Sequence, residues 1–322
     1  MTQPDIGTVR GYIDKYSNWG RWGEDDERGT LNHVTPDAIA HAATLVKKGR
    51  SISLALPFDE NGPQRGTFNR FNPIHLMTRD GADVIANTTI RDFYGGKDGY
   101  FRGTDDIVIL SLQSGTQWDS LAHVVFENKI YNGYGADQVS SKGALRNGVC
   151  NAAGGMVGRG VLLDMPRSMS VPWLEPGTAI GAEDLDRAAS QQGVQIRKGD
   201  FVLVRTGTIA RVRATGSWGD YAGGPAPGLG LKSIDWVAGH EIAAVATDTW
   251  GMEVQPNETA DVYQPLHIVL IAHLGLWVGE IWDLDPLAAD CAADGVYEFL
   301  FCGPPLPFTY AVGSPLNPMA IR

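Results

Sequence analysis

The sequence predicts an α/β protein built around a mixed sheet. Short apolar runs bounded by turn residues recur along the chain and helix-like segments fall between them. Of the 322 residues, 43% are hydrophobic and only 20% charged, which is enough apolar surface to bury a large core.

In chain order, residues 35–49 are the clearest helix. Thr35 is placed to cap, Pro36 suits the first helical position, Asp37 favours the positive end of the dipole, and Lys47, Lys48 and Gly49 close the segment. Residues 51–56 read as a buried strand. The stretch 59–104 is rich in Gly, Asn, Arg and aromatics and has no clear period, and long loops of this kind serve as lids or binding segments. Residues 106–112, 160–164, 200–206 and 242–247 are further apolar runs expected as buried strands. Residues 182–192 and 265–274 read as helices between strands, and 276–282 and 296–302 as later strands. No repeat, low-complexity tract or linker-like run divides the chain, so a single domain over 1–322 is expected, with an N-terminal extension and a lid-like loop around 59–104.

Composition narrows the partners. With 37 acidic against 26 basic residues the net charge is −11, and no Lys/Arg cluster forms a phosphate-binding stripe, so no nucleic acid is expected. Residues 1–20 include Asp5, Asp14 and Lys15 and lack the apolar core of a signal peptide. The most apolar stretch, 266–278, is too short to span a bilayer and carries His267 and His273. No membrane association and a cytoplasmic location are the expectations. Cys150, Cys291 and Cys302 are too few and too scattered for a disulfide framework or a zinc ribbon and are expected as buried thiols. The 40 glycines and 18 prolines suit a fold with many turns.

Several common chemistries lack their spacing: there is no G-x-S-x-G, G-x-x-x-x-G-K-[ST], H-E-x-x-H or C-x-x-C. Gly158-Arg159-Gly160 lacks a third glycine and precedes a strand, so a dinucleotide site is unsupported. Nothing favours a serine or cysteine nucleophile.

One segment concentrates chemistry. Gln113-Ser114-Gly115-Thr116-Gln117-Trp118-Asp119-Ser120-Leu121-Ala122-His123 follows a predicted strand and carries five metal-competent or proton-competent side chains in eleven residues. Gly115 permits a tight bend, and Gln117 and Asp119 then project to one face because strand side chains alternate. One carboxylate and two amide oxygens can converge there. Read blandly, the same residues are a polar strand end whose Gln and Asp satisfy loop backbone groups.

The segment resembles the H-x-G-T-H-x-D-x-P-x-H signature of the cyclase superfamily, which includes kynurenine formamidases and isatin hydrolases. Gly115, Thr116, Asp119 and His123 fall on the pattern. Gln113 and Gln117 stand where the family has metal-binding histidines and Leu121 where it has proline, which is similar to a branch reading S-G-T-Q-W-D. The resemblance continues through Trp22-Gly23-Glu24-Asp25-Asp26, Gly29-Thr30-Leu31-Asn32, Val161-Leu162-Leu163-Asp164, Pro265-Leu266-His267 and Gly279-Glu280. It implies a swivelling β/β/α fold, a bound divalent ion, hydrolysis of amide bonds in cyclic or aryl substrates, and a homodimer or homotetramer. Carried over residue by residue, Asp119 is the central metal ligand, His267 and Glu280 reach in from the late helix and strand, Gln113 and Gln117 occupy the remaining ligand positions, and His123 is the general base. Without the resemblance, His267 reads as a core or capping residue; His273, on the same helix, matches no family position.

The chemistry implied is coherent: a metal acidifies water and polarises a carbonyl, while a histidine titrating near neutrality relays protons. Replacing two imidazoles by amides makes the site oxygen-rich, which favours manganese or magnesium over zinc. The expected cofactor is thus a divalent ion, manganese or zinc, with magnesium as a third option. The expected activity is hydrolysis of an amide, lactam or lactone bond in a small planar or cyclic substrate. A cyclase or dehydratase using the same site, or a catalytically silent binding protein of the same fold, are the alternatives. Trp118, Phe71 and Trp250 are expected to contact the substrate, with Phe68, Phe93 and Tyr131 as further aromatics of the pocket wall.

Overall fold

The computed structural model describes residues 3–86 and 103–322. A nine-stranded sheet forms its frame. In chain order the strands are β1 (Ser51–Ser53), β2 (Gln117–Asp119), β3 (Val157–Asp164), β4 (Phe201–Arg205), β5 (Ala244–Thr247), β6 (Trp277–Glu280), β7 (Glu298–Cys302), β8 (Gly313–Pro315) and β9 (Met319–Ile321). Across the sheet they lie in the order β1-β9-β7-β3-β4-β5-β6-β2-β8. The central strands β3 to β6 are mutually parallel, and the outer pairings are antiparallel. Val161 to Leu163, Phe201 to Val204 and Ala244 to Ala246 are buried. These strands read as continuous apolar runs because both sheet faces are covered.

Among the helices, α1 (Ile6–Tyr16) packs on the helical segment beginning at Pro265, and α2 (Pro36–Ala43) packs on β3. Thr35 caps α2 through its Oγ1, which accepts from the Ala38 N–H at 3.1 Å. The helix expected to reach Gly49 ends at Ala43 instead. The Thr44 hydroxyl turns back to the His41 carbonyl at 2.7 Å, a local bond that competes with helix continuation.

The run at 106–112 is a strand, Asp105–Ile109, but it does not join the sheet. It pairs with Ile74–Arg79 in a separate two-stranded ribbon, with Ile107, Val108 and Ile109 45–51% exposed. An apolar run reports strand character without reporting which sheet receives it. The expected loop at 59–104 contains that partner strand and a short helix, Gly81–Ala86, and its remainder at 87–102 lies outside the described residues. The segment 265–274 opens as an α-turn, Pro265–His267, and continues as a π-helix, Ile268–Leu274. Of the cysteines, Cys291 is buried, Cys302 intermediate, and Cys150 exposed rather than buried. Cys150 sits in a 3-10 turn that packs its neighbours Val149 and Ala152 inward. No helix among the described residues is long and apolar enough to cross a membrane.

Candidate metal centre

Strand β2 lies between β6 and β8, antiparallel to both. Its register sets Gln117 opposite Glu280, and Asp119 opposite Val278. Gln117, Glu280 and the diagonally placed Asp119 therefore share one face of the sheet. All three are buried.

Trp118 points the other way. It is wholly buried, packs edge-on to Trp282 at 4.9 Å between centroids, and donates its indole N–H to the Gly303 carbonyl at 2.7 Å. Directly across from it stands Gly279, where a Cβ would lie 2.9 Å from the Trp118 ring and 2.7 Å from the Ala246 Cβ. The expectation that Trp118 contacts substrate is corrected: next to Asp119 on a strand means on the opposite face. The role given to Gly115 also changes. A Cβ there would meet the Phe58 ring at 2.6 Å, so glycine is required by the approach of that ring rather than by a tight bend.

His267 arrives from the first turn of the helical segment Pro265–His267, preceded by Gln264 in the left-handed region at φ 52°. Its Nδ1 lies 2.6 Å from Glu253 Oε1 and its Nε2 3.1 Å from Glu280 Oε1. Glu253 also accepts the backbone N–H groups of Leu266 and His267 at 3.3 and 3.1 Å, fixing both the turn and the ring. One ligand atom from each of Asp119, His267 and Glu280 lies within 4.8 Å of the others. Gln117 Nε2 donates to Glu280 Oε2 at 3.1 Å and to Asp119 Oδ1 at 3.4 Å. Asp119 Oδ2 and Gln117 Oε1 are buried with no hydrogen-bond partner.

Burial raises the Asp119 carboxyl above its usual range, and the charge of Glu280 adds to that rise. Burial acts in the same direction on Glu280 but is outweighed by the hydrogen bond and charge of His267, which hold it below its usual value. For His267, burial alone favours the neutral ring; the hydrogen bonds to Glu253 and Glu280 overcome it and push the pKa up to about 10. Glu253 and Glu280 thus share one imidazole, and the buried Asp119 adds a third acid beside them, an acid-rich arrangement in a low-dielectric site that a cation would balance.

These residues fit a divalent cation. The unpartnered Asp119 Oδ2 is a ready acceptor of positive charge, and Glu253 accepts a hydrogen bond from His267 Nδ1–H, so that Nε2 is the ring nitrogen that would face a cation once its own proton is displaced. A half-turn of the Gln117 amide exchanges its N and O and presents an oxygen to the same point.

A cavity of about 400 Å³ opens beside the cluster. Gln113, His123, His267, Glu280 and Trp250 line it, with Arg70 and Gln264. His123 Nε2 stands 3.8 Å from Asp119 Oδ1 with the side chain partly exposed. Gln113 Nε2 is buried without a partner. Phe71 is not brought to this cavity: it lies on the outer surface, 42% exposed. Phe68 does line it, stacked on Trp250 at 5.7 Å between centroids. Tyr131 is core, its hydroxyl donating to Asp26 at 2.9 Å, and Phe93 lies outside the described residues. Sequence reasoning passed over Glu253, Arg70 and Gln264. Only Glu253 left a signal, a lone acid between Met252 and Val254 in an apolar context.

A family model described as "Putative cyclase" matches residues 51–254. Among solved structures, one described as the crystal structure of a novel cyclase is 36% identical, with a TM-score of 0.85 over 96% of this chain and 99% of that one. Isatin hydrolase A from Labrenzia aggregata, bound to benzyl benzoate, is 20% identical with a TM-score of 0.58, over 84% of this chain and 93% of that one. Isatin hydrolase A from Ralstonia solanacearum is 16% identical with a TM-score of 0.59, over 89% and 98%. At these identities the two isatin hydrolases show a shared fold. No curated protein matches the sequence.

Proposed function

Starting from the membership of this chain in the cyclase family, we propose that it is a metal-dependent hydrolase that opens an amide, lactam or lactone bond in a small planar or cyclic substrate. The observation that carries this reading is the convergence of Asp119, His267 and Glu280 within 4.8 Å of one another, at the wall of a cavity that also holds His123. Asp119, His267 and Glu280 would hold the ion, with Gln117 bonded to two of them and Gln113 lining the same cavity; the oxygen-rich donor set favours manganese or magnesium, with zinc the alternative. Such an ion supplies Lewis acidity, stabilising negative charge on a carbonyl oxygen and acidifying water.

The protein's own groups do the rest. Glu253 holds His267 in one tautomer and one orientation. His123 Nε2 takes a proton from the attacking water and returns it to the departing amine or alcohol, which general acid–base catalysis requires of a group reaching the reacting atoms. Trp250 and Phe68 offer a flat apolar wall to a planar ring.

Metal analysis combined with turnover tests the reading. The purified protein is expected to carry about one divalent ion per chain, to lose hydrolysis of its amide or lactone substrate on chelation and to regain it with manganese. Full activity in chelated, metal-free protein defeats the proposal. The 36% identical structure described as a novel cyclase favours a second reading, ring closure or loss of water at the same site. Product analysis separates the two, because hydrolysis adds the elements of water.

A further inference from the structure

Arg70 stands apart from the arginines around it. Arg65, five residues earlier, is tied to Asp220 at 2.6 Å and to the Ala222 and Gly219 carbonyls. Arg70 makes no ion pair or side-chain hydrogen bond among the described residues, yet it is the only Arg or Lys among those lining the cavity. Its guanidinium carbon lies 5.1 Å from the Trp250 ring centroid and 5.8 Å from that of Phe68. Stacking on aromatic faces fixes the guanidinium plane and leaves its N–H edge available.

The backbone leading to Arg70 departs from ordinary conformations. Phe68 and Asn69 both adopt left-handed conformations, at φ 54° and 58°, which cost energy in non-glycine residues and persist where surrounding contacts impose them. Those contacts are present. Thr67 donates to the Ala222 carbonyl at 3.1 Å, and Gln64 bridges the Trp250 indole and the Ser114 carbonyl at 3.1 and 2.9 Å. The turn and the aromatic floor are thereby one anchored unit.

Glu280 lines the same cavity and its strand pairs with that of the buried Asp119, so a carboxylate entering this low-dielectric site needs a fixed positive partner of its own. The Arg70 guanidinium, which has no ion pair among the described residues, is such a partner and presents the planar fork that matches a carboxylate bidentately. We propose that Arg70 is the anion clamp of this cavity, so that the substrate is a planar ring carrying a carboxylate separate from the bond that is cleaved, with the ring against Phe68 and the carboxylate on the Arg70 fork. This rests on the cavity being the active site of the hydrolase proposed above.

Calorimetric binding of benzoate and of its neutral counterpart benzamide to the purified protein tests the assignment without turnover. The wild-type protein is expected to bind benzoate at least about 10-fold more tightly than benzamide. Arg70→Gln is expected to weaken benzoate by about 10–100-fold, the worth of hydrogen bonds to a charged group, while benzamide affinity and bound metal stay unchanged. Arg70→Lys, which keeps the charge and loses the fork, is expected to restore only a minor part. Benzamide binding in the same variants shows that the cavity is intact. Equal benzoate affinity in wild type and Arg70→Gln overturns the proposal, as does a loss of benzoate and benzamide affinity together or the absence of any preference for benzoate in the wild type. Failure of the hydrolase reading has a different signature, absent metal or absent hydrolysis with the benzoate preference retained.

Discussion

His123 and Glu253 both stand close to the acidic cluster but are expected to fail differently when altered. His123 faces the cavity with Nε2 3.8 Å from Asp119 Oδ1, within reach of a substrate and outside the set of three converging ligand atoms. His123→Ala is expected to lower turnover by about 10²–10⁴-fold, the usual share of acid–base catalysis, with bound metal nearly unchanged. Glu253 is not among the residues lining this cavity; it holds His267 Nδ1 at 2.6 Å. Glu253→Gln should therefore weaken metal binding by about 10–100-fold, the usual effect of losing such an orienting carboxylate. Turnover and metal content measured on the same preparations separate the two roles. Loss of metal in His123→Ala would move that residue into the coordination sphere.

The junction of β2 with β6 carries the site because two sets of side chains interlock across it. On one face Gln117, Asp119 and Glu280 meet; on the other Trp118 fills the space left by Gly279 and packs on Trp282 and Phe301. The bare Cα of Gly279 is what admits the indole, since a methyl group there would stand 2.9 Å from it. Gly279→Ala is expected to destabilise the fold by about 1–3 kcal/mol, the cost of overpacking a filled core. It should also reduce metal affinity, because any retreat of Trp118 moves β2 and carries Asp119 with it. Denaturant titration alongside metal analysis checks both effects, and unchanged stability would show that the pair is less tightly packed than the distances indicate.

For the whole molecule, acid stability has opposing contributions. His33 and His273 are buried, and burial lowers each to about 4; His273 is stacked on Trp19 at 4.8 Å with its Nε2 unpartnered. The unfolded chain protonates these rings near pH 6.5 and the folded chain only near 4, so between those values the unfolded state binds more protons. Stability from the two rings is complete above about pH 6.5 and is lost as pH falls toward 4. Asp200 and Asp248 act oppositely. Burial raises each to about 6, so the folded state takes up their protons first. The contribution of one ring is isolated by difference: wild type should lose more stability than His273→Gln between pH 6.5 and 4, by on the order of 1–3 kcal/mol. Parallel pH profiles of the two melting temperatures would sink the assignment.

Local chemistry was readable along the chain wherever the relevant neighbours lie within a few residues. The alternation that puts Gln117 and Asp119 on one face, the Thr35 cap of α2, and the apolar runs that became β3, β4 and β5 all depend on spacing alone, and spacing is written in the sequence. The family signature marked Asp119, His123, His267 and Glu280 as residues to watch. Contacts between distant segments were not readable in the same way. Glu253 meets His267 and Arg70 meets Trp250 only because the sheet order and the turn at residues 66–70 bring them together. Trp118 was misplaced by adjacency to Asp119, where alternation puts it on the opposite face; for the strand Asp105–Ile109 an apolar run reports that the segment is extended, but which strand is its partner depends on packing across the whole sheet. Residue type and spacing set the chemistry this chain can perform, and long-range packing set where that chemistry is assembled, because burial and electrostatics act through space rather than along the backbone.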